Sequence, residues 1–238
     1  MREPAAVDTE AEAILPSARY ERKFLAPAHR LEGILATVWL HPASFRRTYP
    51  DRFVNNLYLD TPSLQDYVAH VSGARRRSKT RIRWYGHLDT SVENPVLERK
   101  IKWAGVGGKR SYALPPFPIE PPWPRPLLRE AFNDAGLPEA LGLSLRHLEP
   151  VVLNRYRRHY FESADGRFRL TVDSGLQVYA IPRTGGALGP PVRLGTAVLE
   201  VKYAPACAEG AAEVASRLPF RLARYSKYVA AIELLRGI

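Results

Sequence analysis

Lys79, Arg81, Arg83 and Tyr85 stand at alternate positions in Lys79-Thr80-Arg81-Ile82-Arg83-Trp84-Tyr85-Gly86. In an extended strand they share one face, while Thr80, Ile82 and Trp84 share the other. A guanidinium presents a planar fork of donors that matches phosphate oxygens, and an ammonium presents a compact point charge, so a face carrying both suits a multivalent anion. A half-buried strand with its arginines in water has the same pattern; recurrence is what gives it weight. Residues 19–25 place Arg19, Glu21 and Lys23 together, and residues 96–103 place Glu98, Lys100 and Lys102 opposite Arg99, Ile101 and Trp103. Residues 167–173 set Arg167, Arg169, Thr171 and Asp173 against Phe168, Leu170 and Val172, and residues 197–203 set Glu200 and Lys202 against Leu199, Val201 and Tyr203. Residues 151–161 carry arginines on both faces, Arg155 and Arg157 beside Leu153 and His159, Arg158 beside Asn154, Tyr156 and Tyr160.

Composition agrees with an anionic partner. Lys plus Arg number 35 against 24 Asp plus Glu, a formal charge of +11, so nucleic acid, anionic lipid, nucleotide and polyphosphate all qualify. The single cysteine, Cys207, excludes an internal disulfide and a cysteine-rich zinc site. None of the 6 histidines has metal-ligand spacing, and His87 and His159 read as surface or hydrogen-bonded residues. No apolar run reaches the roughly 18 residues of a spanning helix, and the acidic N-terminus has no signal-peptide core, so a soluble cytoplasmic protein is expected. Residues 1–17 read as a mobile tail, and residues 18–238 as one domain.

The connecting elements are helical or turn-like. Leu31, Ile34, Leu35, Val38 and Trp39 predict a helix within residues 27–40; Thr61-Pro62 predicts the start of a short helix that ends near Gly73. Arg75-Arg76-Arg77 reads as a solvated turn. Residues 105–111 look like a phosphate-binding loop but have Trp103 where the first glycine belongs and Arg110 where Ser or Thr belongs, so a hairpin turn is expected, from which Lys109 or Arg110 reaches a phosphate. The proline-rich run 115–126 predicts a stiff surface crossing within the domain. Ser174-Gly175 predicts a turn, with residues 176–181 returning as a hairpin partner; residues 183–195 read as a loop, and residues 209–218 and 224–235 as helices. About eight antiparallel strands closing into a barrel, with amphipathic helices outside, would turn every charged face inward. The expected fold is therefore α+β, a closed antiparallel β-barrel forming a charged tunnel.

These segments resemble the VTC domain, the polyphosphate polymerase domain of vacuolar transporter chaperones and their stand-alone bacterial relatives, within the triphosphate tunnel metalloenzyme superfamily. The resemblance runs over residues 18–235 and rests on motifs in family order: Arg19-Tyr20-Glu21-Arg22-Lys23, Arg81-Ile82-Arg83-Trp84-Tyr85-Gly86, Glu98-Arg99-Lys100, Asn154-Arg155, Arg169, Leu199-Glu200-Val201-Lys202 and Ser226-Lys227. It implies that Lys23, Arg81, Arg83, Lys100, Arg155 and Arg169 grip a nucleoside triphosphate or polyphosphate chain, joined by Lys227 with Ser226, and by Lys109 and Lys202. Glu200 is implied to hold Mn²⁺ or Mg²⁺; Glu21, Glu98 and Asp173 stay open as helpers. The superfamily's Glu-x-Glu-x-Lys motif has Arg19 at its first position here, which favours the VTC branch over thiamine-triphosphatase-like or cyclase-like relatives. The sensor domain and membrane helices of the eukaryotic polymerase subunits have no counterpart in these 238 residues.

The activity implied is transfer of the ATP γ-phosphate to a polyphosphate chain, with pyrophosphate and tripolyphosphate as related ligands. A metal-dependent tripolyphosphatase or nucleoside triphosphatase on the same site is the first alternative, and a non-catalytic polyphosphate or nucleic-acid binding module the second. Inward-facing charges suit a thin chain better than a duplex, which argues against nucleic acid.

Overall fold

The computed structural model describes residues 19–88, 91–103, 106–118, 125–182 and 188–237. The tail at 1–17, the turn at Gly105, the middle of the proline-rich crossing and the first part of the 183–195 loop lie outside these residues. Alternating sequence becomes strand as expected: β1 (Tyr20–Pro27), β2 (Arg46–Asp60), β3 (Arg76–Tyr85), β4 (Val96–Trp103), β5 (Val106–Ala113), β6 (Glu149–Glu162), β7 (Phe168–Ala180), β8 (Val192–Arg193), β9 (Thr196–Tyr203) and β10 (Arg221–Leu222). The helices are α1 (Leu31–Trp39), α2 (Gln65–Val71), α3 (Arg125–Asp134), α4 (Glu139–Leu145), α5 (Ala208–Ser216) and α6 (Lys227–Arg236). The strands form one sheet in the order β10-β1-β9-β7-β6-β2-β3-β4-β5, with β8 on β7.

One face of this sheet is apolar and covered by helices. Phe24, Leu170, Val172, Leu199 and Val201 pack under Ile34, Leu35 and Val38 of α1 and Ala211 and Val214 of α5. Leu57, Ile82, Trp84, Leu97 and Leu153 pack under Leu128 of α3 and Leu141 and Leu145 of α4. These patches hide the apolar alternate residues from water, the main favourable term in such a fold.

The closed barrel is not formed: among the described residues no ladder joins β5 to β1 or β10, and the sheet is open. β10 is only two residues long, paired with Phe24 and Leu25, and offers β5 no edge to dock on. The sheet nevertheless curls. Five strands separate β1 from β4, about 29 Å on a flat sheet at 4.8 Å per step, yet Lys100 Nζ lies 3.6 Å from Glu21 Oε1. Side chains, not backbone, bring the two flanks together.

The expectation that all helices lie outside also fails, because α6 packs on the inner face. Its Tyr228, Ala231 and Ile232 bury against Tyr58, Val152 and Val178, which share a face with the groove residues described below. Its depth is set by Asp60, whose Oδ1 accepts from the Thr61 and Asp66 N–H groups and whose Oδ2 accepts from the Tyr67 N–H and the Tyr228 hydroxyl. One carboxylate thus caps α2 and anchors α6. The helix after Thr61-Pro62 accordingly starts later than predicted, after Leu64 in a left-handed conformation.

Ser174-Gly175 does not turn the chain. β7 runs straight through it, and Gly175 takes φ 61°. Across from it, Arg155 pairs with Gln177 and Arg157 with Ser174, so β7 holds one residue more than β6 and forms a bulge. The bulge flips parity: Asp173 before it and Leu176 and Val178 after it all face inward. Glycine suits the position because φ > 0 is costly with a side chain.

Tyr228→Phe removes one donor from buried Asp60 and is expected to destabilise the fold by about 1–2 kcal/mol. Urea denaturation with an unchanged m-value would show it; an unchanged midpoint would remove Asp60 as the anchor of α6.

Candidate anion-binding groove

On the inner face of β3–β5, Glu98 is a hub. Arg81 reaches its Oε2 at 2.7 Å (Nε) and 2.6 Å (Nη2), while Lys109 Nζ (2.8 Å) and Arg83 Nη1 (3.5 Å) reach its Oε1. Burial would raise the Glu98 carboxyl, but Arg81, Arg83 and Lys109 outweigh it and bring its pKa down to about 2. Arg83 is also aimed by neutral groups: its Nε donates to Asn56 Oδ1 at 3.0 Å, and Asn56 Nδ2 donates to Asn154 Oδ1 at 2.9 Å. Arg81 Nη1 adds Tyr58 Oη at 3.3 Å.

A second hub sits across the groove. Asp173, with a side chain 1% exposed, receives Arg158 in a bidentate pair at 2.6 and 2.8 Å and Lys227 Nζ at 2.5 Å. Burial opposes its ionisation, yet Arg158 and Lys227 hold the carboxyl at about 2. Burial likewise opposes charge on Lys227, and Asp173 more than restores it, leaving that ammonium above its ordinary pKa. The α6 N-terminus is capped by Ser226, whose Oγ accepts from the Val229 N–H at 3.3 Å and from Lys79 Nζ at 2.7 Å.

Beyond β7 in the sheet come β9 and β1, paired Lys23 opposite Glu200 and Glu21 opposite Lys202. Lys23 Nζ is 3.0 Å from Glu21, and Lys202 Nζ is 3.1 Å from Glu200. Lys23 Nζ also donates to the Tyr225 carbonyl at 3.2 Å. Burial works against ionised Glu200, but Lys202 and Lys23 hold it well below the usual carboxylate range, in hydrogen-bond contact with Glu21. Among the described residues no three His, Cys, Asp or Glu gather as a metal cage. Two adjoining carboxylates beside a cationic groove fit a Mg²⁺ or Mn²⁺ ion shared with substrate phosphates. Glu98 and Asp173 have both oxygens committed to cations, whereas among the described residues the ion pairs of Glu21 and Glu200 run through Oε1.

Of the residues singled out from sequence, the inner face brings together Lys23, Arg81, Arg83, Lys100, Lys109, Glu200, Lys202, Ser226 and Lys227. Arg169 is on the same face at the outer end of β7, exposed and 3.2 Å from Glu162. Arg155 is not among them: it lies on the opposite face, its guanidinium 4.0 Å over the Phe53 ring. The inward arginine of β6 is Arg158, four residues on from Asn154 and opposite Asp173. Sequence reasoning passed over it because both faces of β6 carry arginine; pairing with Asp173, the carboxylate ending the β7 repeat, was the available signal. Lys79 is on the inner face too, and no motif marks it. His159 is buried on the outer face, 3.0 Å from Asp51, and takes no part.

The sheet is thus curled and antiparallel, and its concave face carries cations braced by carboxylates. The sequence model of the VTC domain matches residues 18–236, and the chain therefore belongs to the VTC domain family. Among solved structures, the PH1819 protein of Pyrococcus horikoshii is similar in fold, with TM-score 0.51 and 13% identity over 91% of this chain and 99% of that one. A candidate adenylyl cyclase from Hippeastrum, described as having a dominant triphosphatase activity, gives TM-score 0.49 and 16% identity over 90% of this chain and 94% of that one. A candidate adenylate cyclase from Vibrio parahaemolyticus gives 0.49 and 12% over 90% and 97%. No curated protein matches the chain. Among the described residues no helix is long and apolar enough to cross a membrane.

Asp173 supplies the pH test. Its carboxyl titrates at about 2 when folded against roughly 3.9 when unfolded. It therefore adds stability above the unfolded value that is lost as pH falls from about 4 to 2, worth about 2–3 kcal/mol. Asp173→Asn is expected to be destabilised at neutral pH by at least that amount and to lose less stability than wild type between pH 4 and 2. Parallel denaturation curves across that window would contradict the assignment.

Proposed function

We infer that this chain transfers the γ-phosphate of ATP to a growing polyphosphate chain lying in the groove. The observation that carries this is the placing of Arg81, Arg83, Arg158 and Lys227, each held in position by a buried carboxylate, opposite the Glu21–Glu200 pair on one concave face. A terminal phosphate oxygen of the acceptor attacks the γ-phosphorus, the bond from that phosphorus to the β,γ-bridging oxygen breaks, and ADP leaves with the electron pair. The attacking oxygen is already ionised, so no general base is required.

The groove acts by alignment and by neutralising charge. Guanidinium forks fixed by Glu98, Asn56 and Asp173 hold donor and acceptor phosphates in line, and they are oriented before substrate arrives, which avoids reorganisation during the reaction. Lys23, Lys100, Lys109 and Lys202 supply further positive charge along the chain's path. A Mg²⁺ or Mn²⁺ ion bound by Glu200 and Glu21 would add charge neutralisation at the phosphate oxygens.

Incubating the purified protein with ATP and Mn²⁺ is expected to give long phosphate chains resolvable on a gel. Arg83→Ala, Arg158→Ala and Glu200→Ala should each lower chain synthesis by about 100-fold or more, whereas Arg155→Ala, altered on the outer face, should retain it. Orthophosphate release without chain growth would make the chain a hydrolase. Full synthesis by the Arg158 and Glu200 variants would remove the groove as the site.

A further inference from the structure

We propose that Lys79 is an additional anion-gripping residue of this groove, one that takes up a proton as a phosphate chain binds. The inference rests on the groove reading above and concerns a residue that no motif marks. Lys79 stands directly opposite Lys100 on β4, and Lys100 directly opposite Lys109 on β5, so three ammonium side chains share one rung across β3–β5. Like charges opposed in this way destabilise a sheet. Such a rung is tolerable where an anion is to lie across it, or where one of the three gives up its charge.

Lys79 is the member placed to give it up. Lys109 has Glu98 and Lys100 has Glu21, whereas the ammonium of Lys79 donates to a neutral partner, Ser226 Oγ at 2.7 Å. The groups around it are mostly cationic or neutral: Lys23 on β1, Lys100 on β4, and Arg77 and Arg81 on its own strand act on it. α6 presents Ser226, with Lys227 committed to Asp173. On α2, His70 is itself depressed to about 4, by burial and then by Lys79. Asp60, on the neighbouring strand β2, is committed to α2 and Tyr228. Burial first, and then Lys23, Lys100 and Arg81, bring the Lys79 amine from its ordinary range down to about 7.

A phosphate chain laid on the rung replaces repulsion by attraction and restores the ordinary state of the amine. The proton then comes from solvent, and the ammonium donates it in a hydrogen bond to a phosphate oxygen. Below about pH 7 Lys79 is mostly charged in the free protein and binding takes up little; above it, uptake rises toward about one proton per binding event near pH 8–9. Inner phosphates of a long chain are ionised throughout that range, so the proton is not the ligand's.

The test is calorimetric binding of long-chain polyphosphate to the whole protein, without metal or ATP, in two buffers of different ionisation enthalpy at pH 6.5 and 8.5. Wild type is expected to take up about one proton at pH 8.5 and far less at pH 6.5. Lys79→Met should lose that uptake and bind about tenfold more weakly at pH 6.5. Lys79→Arg should recover the affinity with no uptake, since a guanidinium keeps its charge. Circular dichroism of both variants checks that they fold; a Lys79→Met chain that does not fold leaves Lys79→Arg to decide, through its missing uptake. Undiminished uptake in either variant, or wild-type binding without uptake at pH 8.5, overturns the role of Lys79 while leaving the groove intact. Failure of wild type to bind polyphosphate overturns both.

Discussion

Crowding cations onto one concave face is unfavourable in itself, and the way that repulsion is managed organises this molecule. Two unit charges 4 Å apart near a protein surface interact by about 4 kcal/mol, and burial adds a cost for each ion. Glu98 and Asp173 meet this demand on opposite flanks of the groove, each gathering more than one cation. The guanidinium forks and ammonium groups are thereby fixed in direction while positive charge remains in excess. The bracing is what lets the fold tolerate that excess.

The same economy of charge explains the shape. An open sheet can curl because nothing requires its edge strands to be hydrogen-bonded to each other, and the Lys100–Glu21 contact draws the flanks together on the polar side. On the other side, two helix layers cover two apolar patches. α6 occupies the concave side, tied down by Asp60 through Tyr228 and reaching the centre of charge with Lys227 and Ser226 at its N-terminal end. The terminal helix is thus part of the floor of the site as well as packing.

Much of this was legible in the chain itself. Period-two alternation located β1, β3, β4 and β9, and their mixed-charge faces identified Lys23, Arg81, Arg83, Lys100 and Glu200 as neighbours in space. That worked because each of these strands has one clearly apolar face, and burying it leaves a single orientation. Helix α1 was visible for the same reason, at a different period. Closure was not legible: whether the last strand meets the first depends on edge lengths and curl, which no local pattern encodes.

Where both faces of a strand carry charge, burial cannot choose between them. In β6 the choice fell to its neighbours: pairing with β2 and β7 turned Arg158 inward onto Asp173 and left Arg155 against Phe53. In β7 a dipeptide with the composition of a turn became a bulge, since Gly175 could take a positive φ while ladders on both sides kept the strand extended. Lys79 looked like one more cation beside two better-marked arginines until α6 brought Ser226 over it. The sequence by itself thus determined which residues are strand, which faces are apolar and which carry the charge. The tertiary structure decided which arginine of an ambiguous strand turns into the groove and, among the described residues, which lysine has a hydroxyl for its partner and that the sheet stays open, because each depends on neighbours distant in the chain.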